Sequence, residues 1–320
     1  MTDLYYAIAA YNEENRIGRC LDSIAQQKLG NLRTETIVCL NGCNDRTADV
    51  VLERRKRHPV LNIRTLHSKK GKVFAHNEIV HNIHDPTKPV AFVDADVALD
   101  RDAIGILYGE LGRINSLQAV GGHSVPYRPE GMSPWQAFLY EILHARSLFP
   151  MSEISVNDVS HYKLFADTHP QTDADPEFEK KSKIYFHGRL FMLRNNRVFE
   201  MPEDENLADD SFLPNSIHTR YGPGSSRVRY DAIAYYEPYL SLHQHFRAYR
   251  RVDAQLRYLD ANFKNFRESR EMERTKLDWE YIRSTGIPNV LRFAAYSAVR
   301  DLEHAAYRVL PDQSPTDLWK

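Results

Sequence analysis

Two carboxylates stand one residue apart directly after a short apolar run in this sequence. Asp94 and Asp96 follow residues 90–93, which favour a buried strand. In an extended chain, side chains two positions apart point to the same side, and two unpaired carboxylates held there are costly. A hard divalent cation, Mn²⁺ or Mg²⁺, is the natural partner, because it can bridge a diphosphate and neutralise the charge that develops as it leaves. The alternative to a metal site is a loop in which one aspartate caps the following helix and the other is exposed to solvent.

The elements that must position this pair alternate between strand and helix over the first part of the chain. Apolar runs predict strands over residues 5–10, 36–40, 61–66 and 90–93, with a helical period in Ile17, Cys20, Leu21 and Ile24 between the first two. This alternation predicts an α/β fold with a Rossmann-like, mostly parallel sheet and right-handed crossovers. Ligands of such sheets lie beyond the carboxyl ends of the strands. The polar clusters there are expected around one crevice: residues 11–13, 41–45, 72 and 94–96.

The second half of the chain has a different pattern. Strands are predicted over residues 118–123, 184–193 and 228–236, and helices over 134–149, 241–259, 269–284 and 287–309. Residues 152–182 are polar, and a stretch of that length is expected to be largely irregular.

The last predicted helix is amphipathic. Its apolar face comprises Ile287, Val290, Leu291, Ala294, Ala298, Leu302 and Ala305, against Arg292, Arg300 and Arg308. Covering the core or forming a homodimer is the expected role of this face. The alternative is peripheral contact with an anionic membrane that presents a lipid-linked acceptor.

Bulk properties exclude several function classes. The chain has 320 residues and a net charge of −1, so electrostatics give no reason to expect a nucleic-acid partner. No apolar run has the length of a transmembrane segment, and the N-terminus lacks the regions of a signal peptide. The three cysteines form no CxxC pair, which fits a reducing compartment. We therefore expect a cytoplasmic protein, with the inner face of the membrane as a peripheral alternative.

Four segments in order carry a family resemblance. They are Ala-Ala-Tyr-Asn-Glu-Glu (9–14), Asn-Gly-Cys-Asn-Asp-Arg-Thr (41–47), Lys-Lys-Gly-Lys-Val-Phe-Ala-His-Asn (69–77) and Phe-Val-Asp-Ala-Asp (92–96). Together they resemble the ordered motifs of glycosyltransferase family 2, which has the GT-A fold. The resemblance implies a nucleotide-sugar-binding half over residues 1–97, an acceptor-binding half over 98–240 and a C-terminal helical segment over 241–320.

The resemblance also implies roles for single residues of a donor site. The donor-binding residues would be Ala10, Tyr11, Glu13, Asn41, Lys72, Asp94, Ala95 and Gly188. Glu13 would accept hydrogen bonds from ribose hydroxyls, Asp94 would contact the nucleoside or sugar, and Asp96, with Asp94, would hold the metal. Asn41 stands where the family has an aspartate against uracil. An amide can both donate and accept, so a UDP-sugar is favoured while the base stays open.

An acidic pair in the second half resembles the acceptor side of the same family. In Leu-Ala-Asp-Asp-Ser-Phe-Leu (207–213), Asp210 would be the catalytic base and Asp209 would position it or contact the acceptor. An inverting transfer needs such a carboxylate to take the proton of the acceptor hydroxyl. Gly188 would let the sugar approach the backbone closely. The alternative for the pair is capping of a helix N-terminus.

The segment after the last predicted strand loosely resembles the Gln-x-x-Arg-Trp region of the family, with Arg247 and Arg251 in place of Gln and Trp. Because the full motif belongs to processive membrane members, its absence argues against a processive synthase. Arg247, Arg250 and Arg251 share one helix face and suit bidentate contact with phosphate. His243 would add a nitrogen ligand to the metal, or else be structural.

These features predict metal-dependent transfer of a sugar from a nucleotide-diphosphate sugar to a hydroxyl acceptor, with inversion and with Asp210 as base. A retaining GT-A enzyme is the alternative within the class. A sugar-nucleotide pyrophosphorylase lacks its Gly-rich loop here, and a haloacid-dehalogenase-type phosphatase would carry its nucleophile after the first strand. An inactive binding protein with the same fold is the alternative from a different class.

Overall fold

The computed structural model describes residues 2–155, 186–195, 200–222, 224–272 and 275–310. The chain divides into two compact units, residues 1–124 with 183–236 and residues 125–182 with 237–320. The predicted functional division at residues 97 and 240 stays a prediction. Residues 156–182 of the predicted irregular stretch and residues 184–185 of a predicted strand lie outside the described residues.

The described strands form one large and one small sheet. They are β1 (Leu4–Ala10), β2 (Thr34–Asn41), β3 (Ile63–Ser68), β4 (Val90–Val93), β5 (Ala98–Leu99), β6 (Ala119–Pro126), β7 (Glu153–Ser155), β8 (Leu190–Leu193), β9 (Ser226–Tyr236) and β10 (Thr275–Leu277). The large sheet has the order β3-β2-β1-β4-β8-β6-β9-β5, and the small one pairs β10 with β7.

The helices connect these strands and dominate the second unit. They are α1 (Ile17–Ala25), α2 (Thr47–Arg57), α3 (Lys72–His81), α4 (Ala103–Arg113), α5 (Pro134–Leu143), α6 (Ala145–Leu148), α7 (Asp209–Tyr221), α8 (Leu242–Asn262), α9 (Arg267–Met272), α10 (Trp279–Ser284) and α11 (Ile287–Val309). Short 3₁₀ turns cover Pro59–Leu61, Pro150–Ser152 and Lys264–Phe266. No helix in the described ranges is long and apolar enough to cross a membrane.

The four strands at one side of the large sheet confirm the predicted α/β alternation. Strands β3, β2, β1 and β4 run parallel, with Ala10 opposite Leu40 and Leu40 opposite His67. Helix α1 packs the predicted residues inward, since Ile17, Cys20, Leu21 and Ile24 are all buried. All four strands therefore end at the same edge, where polar residues follow each of them.

Strand β8 brings a distant part of the chain to this edge. It runs antiparallel to β4, with Leu190 opposite Val93, and antiparallel to β6 on its other side. The residues just before β8 therefore lie beside the end of β4, and the Asp94 N–H donates to the Arg189 carbonyl at 3.1 Å.

Two predicted helices of the second unit are wrong in detail. The one over 134–149 is interrupted at His144, whose Nε2 faces the carbonyl of Tyr239 at 3.1 Å. The one over 269–284 is two short helices with β10 between them, because residues 275–277 pair with 153–155. Asp278 then starts α10 by accepting the N–H of Tyr281.

The predicted apolar face of the last helix is largely the exposed one. Helix α11 buries Phe293, Tyr296, Glu303 and Tyr307, whereas Ile287, Leu291 and Leu302 are 75%, 65% and 72% exposed. Aromatic rings bury more apolar area than the alanines of the predicted face. Glu303 is buried because His245 and Arg300 pair with its carboxylate at 2.7 and 2.6 Å. Covering the core is therefore not the role of the predicted stripe.

Candidate active site

Loops after β1 and β2 are joined at the carboxyl edge of the sheet. The Glu13 N–H donates to Thr47 Oγ1 at 2.7 Å, and the Glu14 N–H donates to Asp45 Oδ2 at 3.1 Å. The Asn44 N–H donates to Asn12 Oδ1 at 3.0 Å, with Asn12 in the left-handed region at φ 54°. These bonds fix the two loops to each other, so the predicted nucleotide-binding residues after β1 and β2 share one wall.

This wall holds the first predicted donor-binding residues. Ala10 and Asn41 are buried at the ends of β1 and β2, and Tyr11 is 38% exposed. Lys70 Nζ lies 4.5 Å from the centre of the Tyr11 ring. The half-buried Cys43 donates its thiol to the Ala10 carbonyl at 3.1 Å. The wall therefore carries one aromatic ring beside a lysine cation, and one buried amide whose Oδ1 accepts from Ser68 Oγ at 3.4 Å.

Glu13 carries an ion pair that the sequence did not predict. Its Oε2 lies 2.7 Å from Arg16 Nε. Burial raises the pKa of Glu13 to about 7, Arg16 opposes this rise, and Asp96 and Asp94 add to it. Glu13 is therefore held by Arg16 beside the Asp94-Ala95-Asp96 turn, where Ala95 is buried.

Lys72 joins the donor motif to the acidic pair. Its Nζ lies 2.8 Å from Asp94 Oδ1 and 2.9 Å from Asp209 Oδ1. Lys72 begins α3, where the helix dipole disfavours a cation. Burial opposes its charge, but Asp209 and Asp94 outweigh burial and raise the pKa of Lys72. The site therefore keeps Lys72 charged between two carboxylates from distant segments.

Asp96 differs from Asp94 in the contacts that its carboxylate makes. It is partly buried and makes no side-chain hydrogen bond or ion pair to any residue that the structure describes. Burial and the neighbouring Asp94 raise its pKa, while Arg189 and Arg16 counteract this. Within the described ranges, no group of three or more His, Cys, Asp or Glu side chains could hold a metal. A Mg²⁺ or Mn²⁺ ion would need only one or two such carboxylates from the protein, because substrate phosphates and water can supply its other ligands.

The acidic pair starts α7, and its two members differ. Asp209 is buried, pairs with Lys72 and accepts the N–H of Asp210 at 3.0 Å. Burial raises the pKa of Asp209 to about 6, although Lys72 opposes the rise. Asp210 is half-buried, and its carboxylate has no hydrogen bond or ion pair to a described residue. Asp209 is thus engaged while Asp210 is available.

Gly188 is required by its neighbours in the protein. A Cβ there would lie 3.0 Å from Asp210 Cβ, 3.1 Å from Asp209 Oδ1 and 3.4 Å from Lys72 Nζ. The space beside Gly188 is therefore occupied by the side chains of Asp209, Asp210 and Lys72. Close approach of a sugar to this glycine stays a prediction.

We expect Gly188→Ala to shift the acidic pair and so to lower kcat about tenfold, with a loss of about 1–3 kcal/mol in the free energy of unfolding from overpacking. Denaturant unfolding and steady-state kinetics measure the two effects. Gly109→Ala is the matched control, because Gly109 lies in α4 and a Cβ there meets nothing within 4 Å. Equal behaviour of the two variants would contradict this prediction.

The sequence motifs did not predict the two arginines that lie near Asp96. Arg16 pairs with Glu13, and the guanidinium carbon of Arg189 lies 4.0 Å from the centre of the Tyr236 ring. Both lower the pKa of Asp96. Arg189 follows Gly188 directly in the sequence, but only the pairing of β8 with β4 brings it to Asp94 and Asp96.

Four predicted residues belong to the second unit. His243, Arg247, Arg250 and Arg251 lie on α8, with His243 and Arg247 exposed. Their contact with a donor or a metal stays a prediction.

Comparisons with known proteins agree with the motifs and the fold. A family model described as "Glycosyltransferase like family 2" matches residues 2–152. The mannosyltransferase PcManGT from Pyrobaculum calidifontis, solved with GDP-Man and Mn²⁺, is 17% identical with a TM-score of 0.55, over 99% of this chain and 78% of that one. No curated protein matches the chain by sequence.

Two further solved structures are more distant. TarS from S. aureus is 15% identical with a TM-score of 0.48, and the match covers 85% of this chain but 41% of that one. Glucosyl-3-phosphoglycerate synthase from Mycobacterium tuberculosis, solved with Mg²⁺ and UDP, is 14% identical with a TM-score of 0.49, over 80% and 78% of the two chains. Residues 2–152 of this chain are therefore similar to the family 2-like glycosyltransferases, and the fold is GT-A.

Proposed function

We propose that this enzyme transfers a sugar from a nucleotide-diphosphate sugar to a hydroxyl acceptor with inversion, using a divalent cation held by Asp96 and Asp94. The observation that carries the proposal is the arrangement at the carboxyl edge of the sheet. There, the available carboxylate of Asp96 lies near the Lys72 pair with Asp94 and Asp209.

The donor is proposed from the wall after β1 and β2. Tyr11 and Lys70 offer a face for a base, and Asn41 offers an amide for its edge. We favour a UDP-sugar, although PcManGT, a protein of similar fold, was solved with GDP-Man and Mn²⁺. The cation, Mn²⁺ or Mg²⁺, would supply neutralisation of the diphosphate charge. Donor contact through Arg247, Arg250 and Arg251, with His243 as a further metal ligand, belongs to the same proposal.

Asp210 is proposed as the base because its partner is already occupied. Asp209 is buried and shares a charge-assisted contact with Lys72, so its carboxylate is already engaged within the protein. Asp210 stands next to it without such a contact to any residue that the structure describes, so in this proposal its carboxylate accepts the proton of the acceptor hydroxyl. Inversion requires this proton transfer on the face of the sugar opposite the leaving diphosphate.

Screening a panel of nucleotide sugars for thermal stabilisation tests the donor half of this proposal. A ligand that binds only the folded state at about 100 times its Kd stabilises it by about 2.7 kcal/mol. We expect one diphosphate sugar, in the presence of Mn²⁺, to raise the melting temperature, followed by slow hydrolysis of that donor. An inactive binding protein would give the shift without the hydrolysis, and absence of any shift would refute the donor class.

For the exposed face of α11 we propose peripheral contact with the inner face of a membrane that presents a lipid-linked acceptor. Ile287, Leu291 and Leu302 are exposed on one side of this helix, together with Ala294 and Ala298. Apolar side chains on such a face gain free energy from the acyl boundary.

We expect co-sedimentation with anionic liposomes that is weakened at least about fivefold by Leu302→Asp, since this places a charge in the apolar face. Leu52→Asp is the control, because Leu52 is also exposed but lies on α2. A protein that stays in the supernatant and forms a homodimer that Leu302→Asp dissociates would contradict membrane contact and support the dimer.

A further inference from the structure

A buried amide on α3 holds a distant backbone segment. Asn77 is 5% exposed, and its Nδ2 donates to the Met201 carbonyl at 2.7 Å. The Met201 N–H donates back to Asn77 Oδ1 at 2.9 Å. The two residues are 124 positions apart in the chain. One side chain therefore satisfies both polar groups of a single buried peptide residue, as a β-ladder partner would.

The segment that Asn77 holds leads directly to the acidic pair. Between Met201 and Asp209 the chain closes on itself, because Asp204 Oδ1 accepts the N–H of Asn206 at 3.0 Å and the Asp204 carbonyl accepts the N–H of Leu207 at 3.0 Å. Leu207 and Ala208 are buried. A displacement at Met201 is therefore transmitted through a short, closed turn to Asp209 and Asp210.

Helix α3 anchors this segment at both ends. Lys72, in its first turn, binds Asp209, and Asn77, about one and a half turns later, binds Met201. Two further contacts are exposed, His81 Nε2 with Glu200 Oε1 at 3.1 Å and, just before the helix, Lys69 Nζ with Glu203 Oε2 at 3.6 Å. Exposed pairs of this kind contribute little. The buried Asn77 bonds at Met201 and the Lys72 contact at Asp209 therefore set the position of the segment relative to α3.

The asparagine side chain is matched to this task. Leucine has a similar size but would leave the N–H and C=O of Met201, itself 2% exposed, without partners. Aspartate would keep the acceptor for the Met201 N–H and place a negative charge against the Met201 carbonyl. Either change favours movement of the segment away from α3, where water can satisfy its backbone.

We propose that Asn77 is a positioning residue for sugar transfer: by fixing Met201 to α3, it places Asp210 relative to the donor that Lys72 and Asp94 face. This inference rests on the proposed function, in which Asp210 is the base. A misplacement of about 1 Å in a reacting group can lower a rate by about 10²-fold. Asn77 thereby couples the donor side of the site to the acceptor side through one helix.

The test compares Asn77→Leu with His81→Ala, which removes an exposed tie between the same helix and the same segment. At a temperature where both variants are folded, we expect kcat of Asn77→Leu to fall about 10–100-fold, while its KM for the donor stays within about twofold. His81→Ala should leave both constants unchanged. Asn77→Asp should retain more activity than Asn77→Leu. Equal losses in kcat and in donor affinity, or equal effects of Asn77→Leu and His81→Ala, would overturn the proposal.

A double-mutant cycle separates positioning from general weakening. If Asn77 acts through Asp210, Asn77→Leu should lower kcat much less in an Asp210→Asn background than in the wild-type protein. Multiplicative effects would assign Asn77 a merely structural role and overturn the inference.

A measurement that does not depend on sugar transfer distinguishes this inference from the proposed function. Hydrogen exchange of residues 201–209 should accelerate in Asn77→Leu, while β1 and β2 keep their protection. If the wild-type protein transfers no sugar, the proposed function is refuted. Accelerated exchange in Asn77→Leu would in that case still support the anchoring by Asn77. Unchanged exchange in this segment would overturn the anchoring itself.

Discussion

Asp96→Ala is expected to lower sugar transfer by at least about 10³-fold and to weaken binding of the nucleotide diphosphate. The reason is the loss of the carboxylate that would hold the cation bridging the diphosphate, a contribution of several kcal/mol to the transition state, with about 1.4 kcal/mol for each factor of ten. Initial rates with saturating Mn²⁺ and calorimetric titration with UDP measure the two effects.

The same substitution has a second expected result, on stability. Because the Asp96 carboxylate has no pairing partner among the described residues, its removal should leave the free energy of unfolding in metal-free buffer unchanged or raise it. Asp102→Ala is the matched control, since Asp102 is an exposed carboxylate that pairs only with Lys28 in the described chain. Full activity of Asp96→Ala, or of the wild-type protein in chelator, would refute the metal site.

Asp210→Asn is expected to reduce kcat by about 10²–10⁴-fold while donor binding persists. The amide keeps the shape of the carboxylate but cannot take a proton from the acceptor hydroxyl. Single-turnover rates and donor affinity separate the two effects, and the anomeric configuration of the product, read by NMR, reports whether transfer inverts.

Asp209→Asn is the informative comparison for this prediction. It weakens the 2.9 Å contact with Lys72 and should lower stability, but it leaves the proposed base in place. If Asp209→Asn is the inactive variant and Asp210→Asn is not, the two roles are reversed. If neither change affects kcat, the inverting mechanism is wrong.

The strands and the shared edge of the site were predictable from the sequence. The apolar runs before Ala10, Asn41 and Asp94 are buried on both faces of a parallel sheet, so they stand out as continuous hydrophobic segments. Once strands and helices alternate, the handedness and the position of the ligand edge follow from topology. The GT-A fold confirms the predicted fold class, whereas the use of this edge as the ligand site stays a prediction.

The contacts that join distant segments were not predictable in the same way. Lys72 with Asp209 and Asn77 with Met201 depend on where β8 and α7 come to lie, and no local period encodes that. On α11, a count of apolar residues favoured the aliphatic side, but larger aromatic rings occupy the core on the other side. At residues 275–277, pairing with β7 overrides helix propensity.

The Cys43 thiol beside Ala10 allows the wall after β1 and β2 to be followed by chemical labelling. Cys20 and Cys39 are buried, so Cys43, half-buried next to Ala10 at the end of β1, is the cysteine open to reagents in a chain that has only three. Burial also raises the pKa of Cys39 to about 11, which slows its reaction further because the thiolate is the nucleophile. A fluorophore or spin label therefore reaches a single native position without any engineered cysteine. Its labelling rate and signal would then report directly on the occupancy of the wall after β1 and β2.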